Sequence, residues 1–196
     1  MKRFFLYAVA IAALCSSCEI EDETFATETN RQTNDLYQGK SIETNDYQTY
    51  QSILNSFIYN NQQTYQENLL LFEQHVNRQM LNYVPQEIHE YEKINTEQLL
   101  MLQHADTNYI QKLAYTEETK QAIYAIIGNQ FKSDMVQLIT NESERHLIET
   151  LLALHNNGNG DDDKLNDNRS IAFAYGAQYN LTQAVLYAGA IELLAK

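Results

Sequence analysis

Residues 170–191 read SIAFAYGAQYNLTQAVLYAGAI and decide the fold, because this stretch contains no charged side chain. Apolar and small residues occur all round a helix of this sequence, and a helix that is apolar on every side is usually buried. A membrane-spanning helix is the alternative, but Gln178, Asn180 and Gln183 fall in its middle, where polar side chains are unfavourable. The stretch therefore predicts a buried helix in a folded domain.

The region before Pro85 repeats large side chains at spacings of three and four, which is the pattern of one helical face. The positions on this face are Tyr47, Tyr50, Leu54, Phe57, Asn61, Tyr65, Leu69, Phe72, Val76, Met80 and Tyr83. The phase is unbroken, although the polar residues 60–63 lie in its middle. One long helix and two collinear helices both fit this pattern. Pro85 ends the region, because its ring excludes continuation of a helix.

Helix start signals divide the rest of the chain into shorter elements. A short helical piece is expected over 86–94. Asn95 or Thr96 then caps a helix with apolar residues up to Leu113, since both side chains can accept a hydrogen bond from the first turn.

Two further helices have signals at both ends. Thr116 caps the first, which Gly128 ends, and Asn141 opens a capping box for the second, which ends at 156–158. No run shows the two-residue alternation of a strand. We therefore expect an all-α domain over 46–196, a bundle of about five to seven helices with a buried C-terminal helix.

The N-terminus has the features of a secretory signal. Two basic residues precede an uncharged run over residues 4–14, which is too short to span a membrane. The following LCSSC, residues 14–18, resembles the lipobox of bacterial lipoproteins, in which small residues precede a cysteine that is acylated before the signal is removed. The resemblance implies that residues 1–17 are a signal peptide and that Cys18 is the lipid-bearing N-terminus of the mature protein.

Two alternatives to acylation of Cys18 are open. Cys15 would have Leu14 directly before the cut, which suits the lipoprotein signal peptidase poorly. Ordinary signal peptidase would instead leave a soluble secreted protein without lipid. The acidic sequence EIEDE over 19–23 resembles the export signals of Bacteroidota surface lipoproteins, and a solvated acidic spacer explains it equally well.

Residues 19–45 are rich in Thr, Asn, Asp, Glu and Gln and contain few large apolar side chains. Such a segment cannot bury enough surface to offset the entropy lost on ordering. We expect residues 18–45 to form an acylated, disordered tether. The resemblance then implies an outer-membrane lipoprotein on the periplasmic or the surface-exposed face, with the membrane as partner through the lipid anchor.

The acidity of the chain and the positions of its cysteines limit the partners and the kinds of site that it can have. Its formal net charge of −13 becomes −15 when residues 1–17, with two basic residues and no acid, are removed. A phosphate polymer would be repelled, so nucleic acid is disfavoured as a partner. The two cysteines, Cys15 and Cys18, precede the domain, which excludes disulfides, zinc–cysteine sites and thiol catalysis from it.

The acidic loop over 156–168 offers the oxygen ligands that calcium prefers. It departs from the EF-hand pattern, because Asp162 stands where that pattern requires glycine. We expect a solvated connection between helices, in which Asp161, Asp163 and Asp167 are the candidate calcium ligands. No other cofactor is expected.

The five histidines lack the spacings of known catalytic or metal motifs. Glu-x-x-His, His-Glu-x-x-His and Gly-x-Ser-x-Gly are all absent, so no catalytic residue is assigned. Glu142 and His146 share a helix face at a spacing of four, which a surface pair explains. The alternative functions are an envelope hydrolase that uses carboxylates with His89 or His146, and a calcium-binding module.

The 14 tyrosines lie mainly on the predicted apolar faces. Tyr59 and Tyr91 lie outside them, and an exposed tyrosine favours contact with a protein or a glycan, because the ring adds area while the hydroxyl stays wet. The sequence thus predicts a membrane-anchored, non-catalytic envelope lipoprotein whose helical domain binds a protein or glycan partner.

Overall fold

A computed structural model describes residues 46–84, 89–157 and 163–196. Within these ranges the chain forms helices and no strand, which confirms the predicted all-α fold. The eight α-helices are α1 (Asp46–Ser56), α2 (Tyr65–Met80), α3 (Thr96–Gln103), α4 (Glu117–Ile127), α5 (Met135–Leu138), α6 (Glu142–Asn156), α7 (Asp163–Ala177) and α8 (Leu181–Glu192). Two 3₁₀ helices span Thr107–Lys112 and Leu193–Ala195. The count exceeds five to seven because the C-terminal stretch forms two helices and α5 has no sequence signal.

The uncharged C-terminal stretch forms a helical hairpin, so the expectation of one helix over this stretch is wrong. Residues 178–180 separate α7 from α8. The amide nitrogens of Tyr179 and Asn180 donate to the Gly176 carbonyl at 3.0 and 3.2 Å, which turns the chain. Asn180 then caps α8, because its Oδ1 atom accepts from the Gln183 amide at 2.8 Å. The polar residues that argued against a membrane span thus form a turn.

The two helices of the hairpin approach each other closely at Gly176. A Cβ atom at this position would lie 2.4 Å from the backbone nitrogen of Ala184 and 2.4 Å from the carbonyl group of Gln183. Backbone atoms cannot move aside as the end of a flexible side chain can. Glycine is therefore required here for close approach of the two backbones.

Helix α8 lies at the centre of the core, which confirms the predicted buried C-terminal helix. All residues from Ala184 to Glu192 are buried, and α8 packs against α7 and also contacts α1, α2 and α3. Gly189 receives the Phe72 ring of α2, since a Cβ there would lie 2.3 Å from the ring atom Cζ. Among the described residues, no helix has the length and hydropathy that crossing a membrane requires.

The first helical region forms two helices that are not collinear, so both expected arrangements are wrong. In a collinear pair, Ile53 and His75 would be about 33 Å apart at the helical rise per residue. Instead, the His75 Nε2 atom lies 3.1 Å from the Ile53 carbonyl oxygen. The rings of Phe57 and Phe72 also meet edge to face, with centroids 5.1 Å apart. Helix α2 therefore returns past the end of α1.

Side chains of α2 hold the loop that reverses the chain. The buried Asn68 accepts from the Asn60 amide at 2.8 Å and donates to the Asn60 carbonyl at 2.9 Å. Thr64 and Glu67 form a capping box at the start of α2. The polar residues 60–63 are thus loop, and local hydrogen bonds replace the helical ones.

The helical piece predicted over 86–94 is wrong for its described part, which has no helix. Asn77 of α2 accepts from the Glu92 amide at 2.7 Å and donates to the Glu92 carbonyl at 2.8 Å. The Glu73 carboxylate accepts from the Ile94 amide at 2.9 Å. These contacts with α2 satisfy backbone groups that a helix would have satisfied within itself.

The predicted helix starts at Asn95, Thr116 and Asn141 are confirmed. Asn95 Oδ1 accepts from the first turn of α3, and Asn141 Oδ1 does the same for α6. Helix α4 follows Thr116 and ends before Gly128, as predicted, but the Thr116 side chain forms no cap hydrogen bond and donates to Glu144 instead. The helix expected to continue to Leu113 is divided, because α3 ends and a 3₁₀ helix follows.

Glu144 connects the starts of α4 and α6. In a capping box its carboxylate would bind the Asn141 backbone. The carboxylate instead accepts from the Thr116 amide at 3.3 Å and from the hydroxyls of Thr116 and Thr119. A buried carboxylate here stabilises the N-terminus of α4 through both hydrogen bonds and the helix dipole.

An ion pair is buried between α7 and α8. Arg169 Nη1 donates to Glu192 Oε2 at 2.6 Å, and Nη2 donates to the Leu154 carbonyl of α6 at 2.7 Å. Tyr50 of α1 is buried near both charges. Burial first and the Glu192 charge second raise the pKa of Tyr50 above its usual range, while the Arg169 charge opposes them. The pair therefore links three helices of the core.

Candidate functional site

Four tyrosine rings meet near the turn of the α7–α8 hairpin. The ring centroid of Tyr175 lies 5.1 Å from that of Tyr187, 5.5 Å from that of Tyr179 and 6.4 Å from that of Tyr109. All three pairs are edge to face, which is a favourable arrangement of aromatic rings. These four residues are called the tyrosine cluster below.

Neighbouring elements hold Tyr109 and Tyr187, two of the more buried rings of the tyrosine cluster, in place. The Tyr187 hydroxyl accepts from the Asn95 amide at 3.1 Å, at the start of α3. The side-chain amide of Gln98, one turn further along α3, donates to the Tyr109 hydroxyl. Burial is the main cause that raises the pKa of Tyr109 and of Tyr187. Both hydroxyls therefore stay uncharged near neutral pH, and both rings are held in one orientation.

Tyr179 provides the exposed side of the tyrosine cluster, with 56% of its surface accessible. Its hydroxyl lies 3.4 Å from that of Tyr175. Burial, followed by this hydrogen bond, raises the pKa of Tyr175 above its usual range. Lys112 Nζ lies 5.6 Å from the centre of the Tyr109 ring, within the range of a cation–π contact. The outer side of the cluster thus combines ring surface, two adjacent hydroxyls and one ammonium group.

Amide side chains surround the hairpin turn beside the cluster. Gln178 Oε1 accepts from the Ala114 amide at 2.7 Å. The Glu92 carboxylate accepts from Asn180 Nδ2 at 2.7 Å and from Gln183 Nε2 at 2.6 Å. Apart from the Tyr179 hydroxyl, the side-chain hydrogen-bonding groups that the turn contributes are therefore neutral amides.

The two tyrosines selected from the sequence do not belong to the tyrosine cluster. Tyr59 packs against the core. Tyr91 is 53% exposed, but its hydroxyl donates to Glu73 at 3.3 Å. The spacing of four between Tyr175 and Tyr179 was the available sequence signal for the cluster. It was missed because the whole stretch was predicted to be one buried helix.

A serine and a histidine of the described residues adopt the distance of a catalytic pair. Ser56 Oγ lies 3.0 Å from His75 Nε2. The same Nε2 atom lies 3.1 Å from the Ile53 carbonyl, which can only accept, so Nε2 carries the proton. On the other side of the ring, Nδ1 faces an Arg78 guanidinium nitrogen at 3.4 Å. A nitrogen that already donates cannot take the proton of the serine hydroxyl.

The Ser56–His75 pair instead caps the end of α1. The Ser56 hydroxyl donates to the Ile53 carbonyl at 3.0 Å, so this carbonyl accepts from both side chains. Burial lowers the pKa of His75, the hydrogen bond to the Ile53 carbonyl opposes this, and the Arg78 charge lowers it further. A neutral, buried histidine suits a structural cap, because its Nε2 proton already forms a hydrogen bond with the Ile53 carbonyl.

His146 pairs with α1 and not with Glu142, its expected partner. Its Nε2 atom lies 3.1 Å from Asp46, and its Nδ1 atom lies 4.0 Å from Glu149. The hydrogen bond with Asp46 raises the pKa of His146, burial opposes it, and the charges of Asp46 and Glu149 add to the rise. His89, the other candidate base, is half-buried at the start of the non-helical segment before α3.

The Asp46–His146 pair predicts a pH-dependent contribution to stability. His146 has an ordinary pKa of 6.5, so this contribution is fully present below pH 6.5 and is lost as the pH rises through the raised pKa of the folded state. Both side chains are partly exposed, and the effect should be about 1 kcal/mol or less. Thermal unfolding should show a larger difference between wild type and Asp46→Asn near pH 6 than near pH 9. A difference that is constant, or larger at the higher pH, would contradict the assignment.

One cavity of the described residues is an open groove of about 910 Å³ beside α4 and α5. Tyr124, Met135 and Leu138 supply its apolar side, and Lys132 and Asp134 its charged groups. It contains one carboxylate and no histidine. The groove therefore lacks the paired acid and base that a hydrolase needs.

The candidate calcium ligands are not part of one described loop, because α7 begins at Asp163. Asp161 and the side chain of Asp163 lie outside the described residues. Asp167 lies on α7 and lines a cavity of about 250 Å³ with Asp106, whose two oxygens accept from Asn108. In the described ranges, no three His, Cys, Asp or Glu side chains come together as a metal site.

Cys18, the predicted lipid attachment site, lies outside the described residues. No protein-family model, no curated protein and no solved structure matches this chain. The candidate site is thus defined by geometry, and the tyrosine cluster is the candidate that combines fixed rings with an exposed face.

Proposed function

We propose that this chain is a membrane-anchored, non-catalytic module of the cell envelope that binds a protein or glycan partner through its tyrosine cluster. The observation that carries the proposal is the edge-to-face array around Tyr175, with Tyr179 exposed on its outer side. Tyrosine offers large contact area at low entropic cost, and its hydroxyl forms hydrogen bonds at the rim of a contact. Rings that are fixed before binding lose little further freedom on association.

The N-terminal region supports the anchored form of this proposal. The lipobox-like residues 14–18 favour acylation at Cys18, and the polar composition of residues 19–45 favours a flexible tether at the outer membrane. A short flexible linker raises effective concentrations to about the millimolar range. Weak contacts at the tyrosine cluster would then be occupied at the membrane, on either its periplasmic or its surface-exposed face.

The chemistry of the described residues favours binding over hydrolysis. Ser56 and His75 are used as a helix cap, and the groove beside α4 and α5 has no acid–base pair. A hydrolase needs a nucleophile or base that faces a cleft together with a second polar group. The net charge of −13 also supports the exclusion of nucleic acid as the partner.

Site-specific photo-crosslinking in cells tests the proposal. A photoreactive phenylalanine analogue in place of Tyr179 should capture an envelope component, because this ring is the exposed side of the cluster. The same analogue in place of Tyr91 is the matched control, since Tyr91 is similarly exposed at 53% but contacts Glu73 and not the cluster. Equal capture from both positions would contradict the proposed site. Turnover of an envelope polymer by the purified protein would contradict a non-catalytic role.

A further inference from the structure

The tyrosine cluster lies in the least charged part of an acidic chain. Charged residues make up 20% of the sequence, yet residues 170–191, which include three of the four clustered tyrosines, contain none. The Glu92 carboxylate beside the turn is already bound by the side-chain amides of Asn180 and Gln183. The exposed face around Tyr179 is therefore mainly ring surface with hydroxyl and amide groups at its edge, and the charged groups beside it, the Glu92 carboxylate and the Lys112 ammonium over the Tyr109 ring, already have partners within the chain.

From this combination of exposed ring surface, hydroxyls and amides we infer that the partner of the tyrosine cluster is an uncharged glycan, an inference that rests on the proposed binding function. A sugar ring presents C–H groups that pack on an aromatic face, and hydroxyls that exchange hydrogen bonds with tyrosine hydroxyls and amides. The Tyr175 and Tyr179 hydroxyls, 3.4 Å apart, supply such groups directly beside the rings. Because the charged groups beside this face already have partners within the chain, a neutral polyhydroxyl chain fits it.

Other ligand classes fit the face less well. An anionic polymer would be repelled by a chain with a net charge of −13. A protein partner would place its anchor residues in a desolvated pocket. The rings of the tyrosine cluster pack edge to face around Tyr175, and Tyr179 is 56% exposed, so the cluster offers an open ring surface. An exposed ring suits a ligand that stacks on rings.

Calorimetric titration of the full chain in detergent, with cellohexaose, maltohexaose and xylohexaose as probes and an oligogalacturonate as the anionic comparison, tests this inference. At least one neutral hexasaccharide should bind, and the oligogalacturonate should not. Tyr179→Ala should weaken that binding about tenfold, the scale of one lost aromatic contact. Tyr179→Phe, which keeps the ring, should weaken it by about threefold or less. Tyr91→Ala should leave the affinity unchanged, and circular dichroism should show that all variants are folded.

The outcomes separate this inference from the proposed function. The inference of a glycan partner would be overturned if no neutral probe bound or if the oligogalacturonate bound more tightly. Equal losses of affinity in Tyr179→Ala and Tyr91→Ala would also overturn it. If position 179 also captures a protein in cells while no sugar binds, the glycan is overturned and the binding function stands. If position 179 captures nothing and no sugar binds, both are overturned.

Discussion

Gly176→Ala should lower the stability of the domain far more than the same change at Gly128. In an isolated helix this substitution would stabilise by about 1 kcal/mol. Here the new Cβ would lie 2.4 Å from backbone atoms of Gln183 and Ala184, and the two helices would have to separate. Because overpacking against backbone exceeds the propensity gain, we expect a net loss of about 3 kcal/mol.

Chemical denaturation followed by circular dichroism measures this loss. Gly128→Ala is the matched control, since Gly128 directly follows a helix and a Cβ there would lie 3.3 Å from the Tyr124 carbonyl oxygen and 4.0 Å from side-chain atoms of Gln130. We expect a change of about 1 kcal/mol or less for this control. Similar losses in both variants would contradict the close approach of α7 and α8.

Glu192→Gln should have a comparable effect, because it leaves the buried Arg169 charge without its counter-ion. Arg169 and Glu192 are joined by a 2.6 Å hydrogen bond, and both are almost fully buried. Removal of one partner of a buried ion pair typically lowers stability by about 3–5 kcal/mol. The free energy of unfolding of the variant, measured with urea, should fall by this amount.

The double variant Arg169→Met, Glu192→Met separates charge burial from packing. Replacement of a buried pair by apolar residues of similar size is often close to neutral. The Leu154 carbonyl loses its donor, which costs about 1–3 kcal/mol. The double variant should therefore be more stable than Glu192→Gln alone. A double variant that is no more stable than Glu192→Gln would contradict an unpaired charge as the cause.

Local signals allowed much of the fold to be predicted from the sequence. The caps at Asn95 and Asn141 act through hydrogen bonds to residues two or three positions away, so the sequence contains both partners. The glycine stop at Gly128 is equally local. The all-α class and the burial of the C-terminal region follow from composition and periodicity alone.

Long-range contacts account for the errors. The segment before α3 is non-helical because Asn77 and Glu73 of another helix bind its backbone, and no local pattern reports such partners. The C-terminal stretch has no charge to mark its turn, and hydropathy does not distinguish one buried helix from two. The sequence predicts Asn180 to lie within one helix, whereas it caps the second of two helices.

The candidate site was the least predictable part. Its rings come from residues 109, 175, 179 and 187, which meet only after the hairpin has formed and the 3₁₀ helix has packed against it. The Ser56–His75 pair likewise spans 19 residues and a chain reversal. Sequence spacing identifies sites whose ligands share one helix or loop, and this arrangement does not belong to that class.

Photo-crosslinking from position 179 in living cells, with Cys18 intact or replaced, tests the central claim most directly, namely that this chain is a membrane-held binding module. With Cys18 intact, the analogue at 179 should capture an envelope component. Cys18→Ala should lose most of this capture without unfolding the domain, because the lipid anchor supplies the local concentration. Capture that is equal with and without Cys18, or absent in both, would contradict the claim.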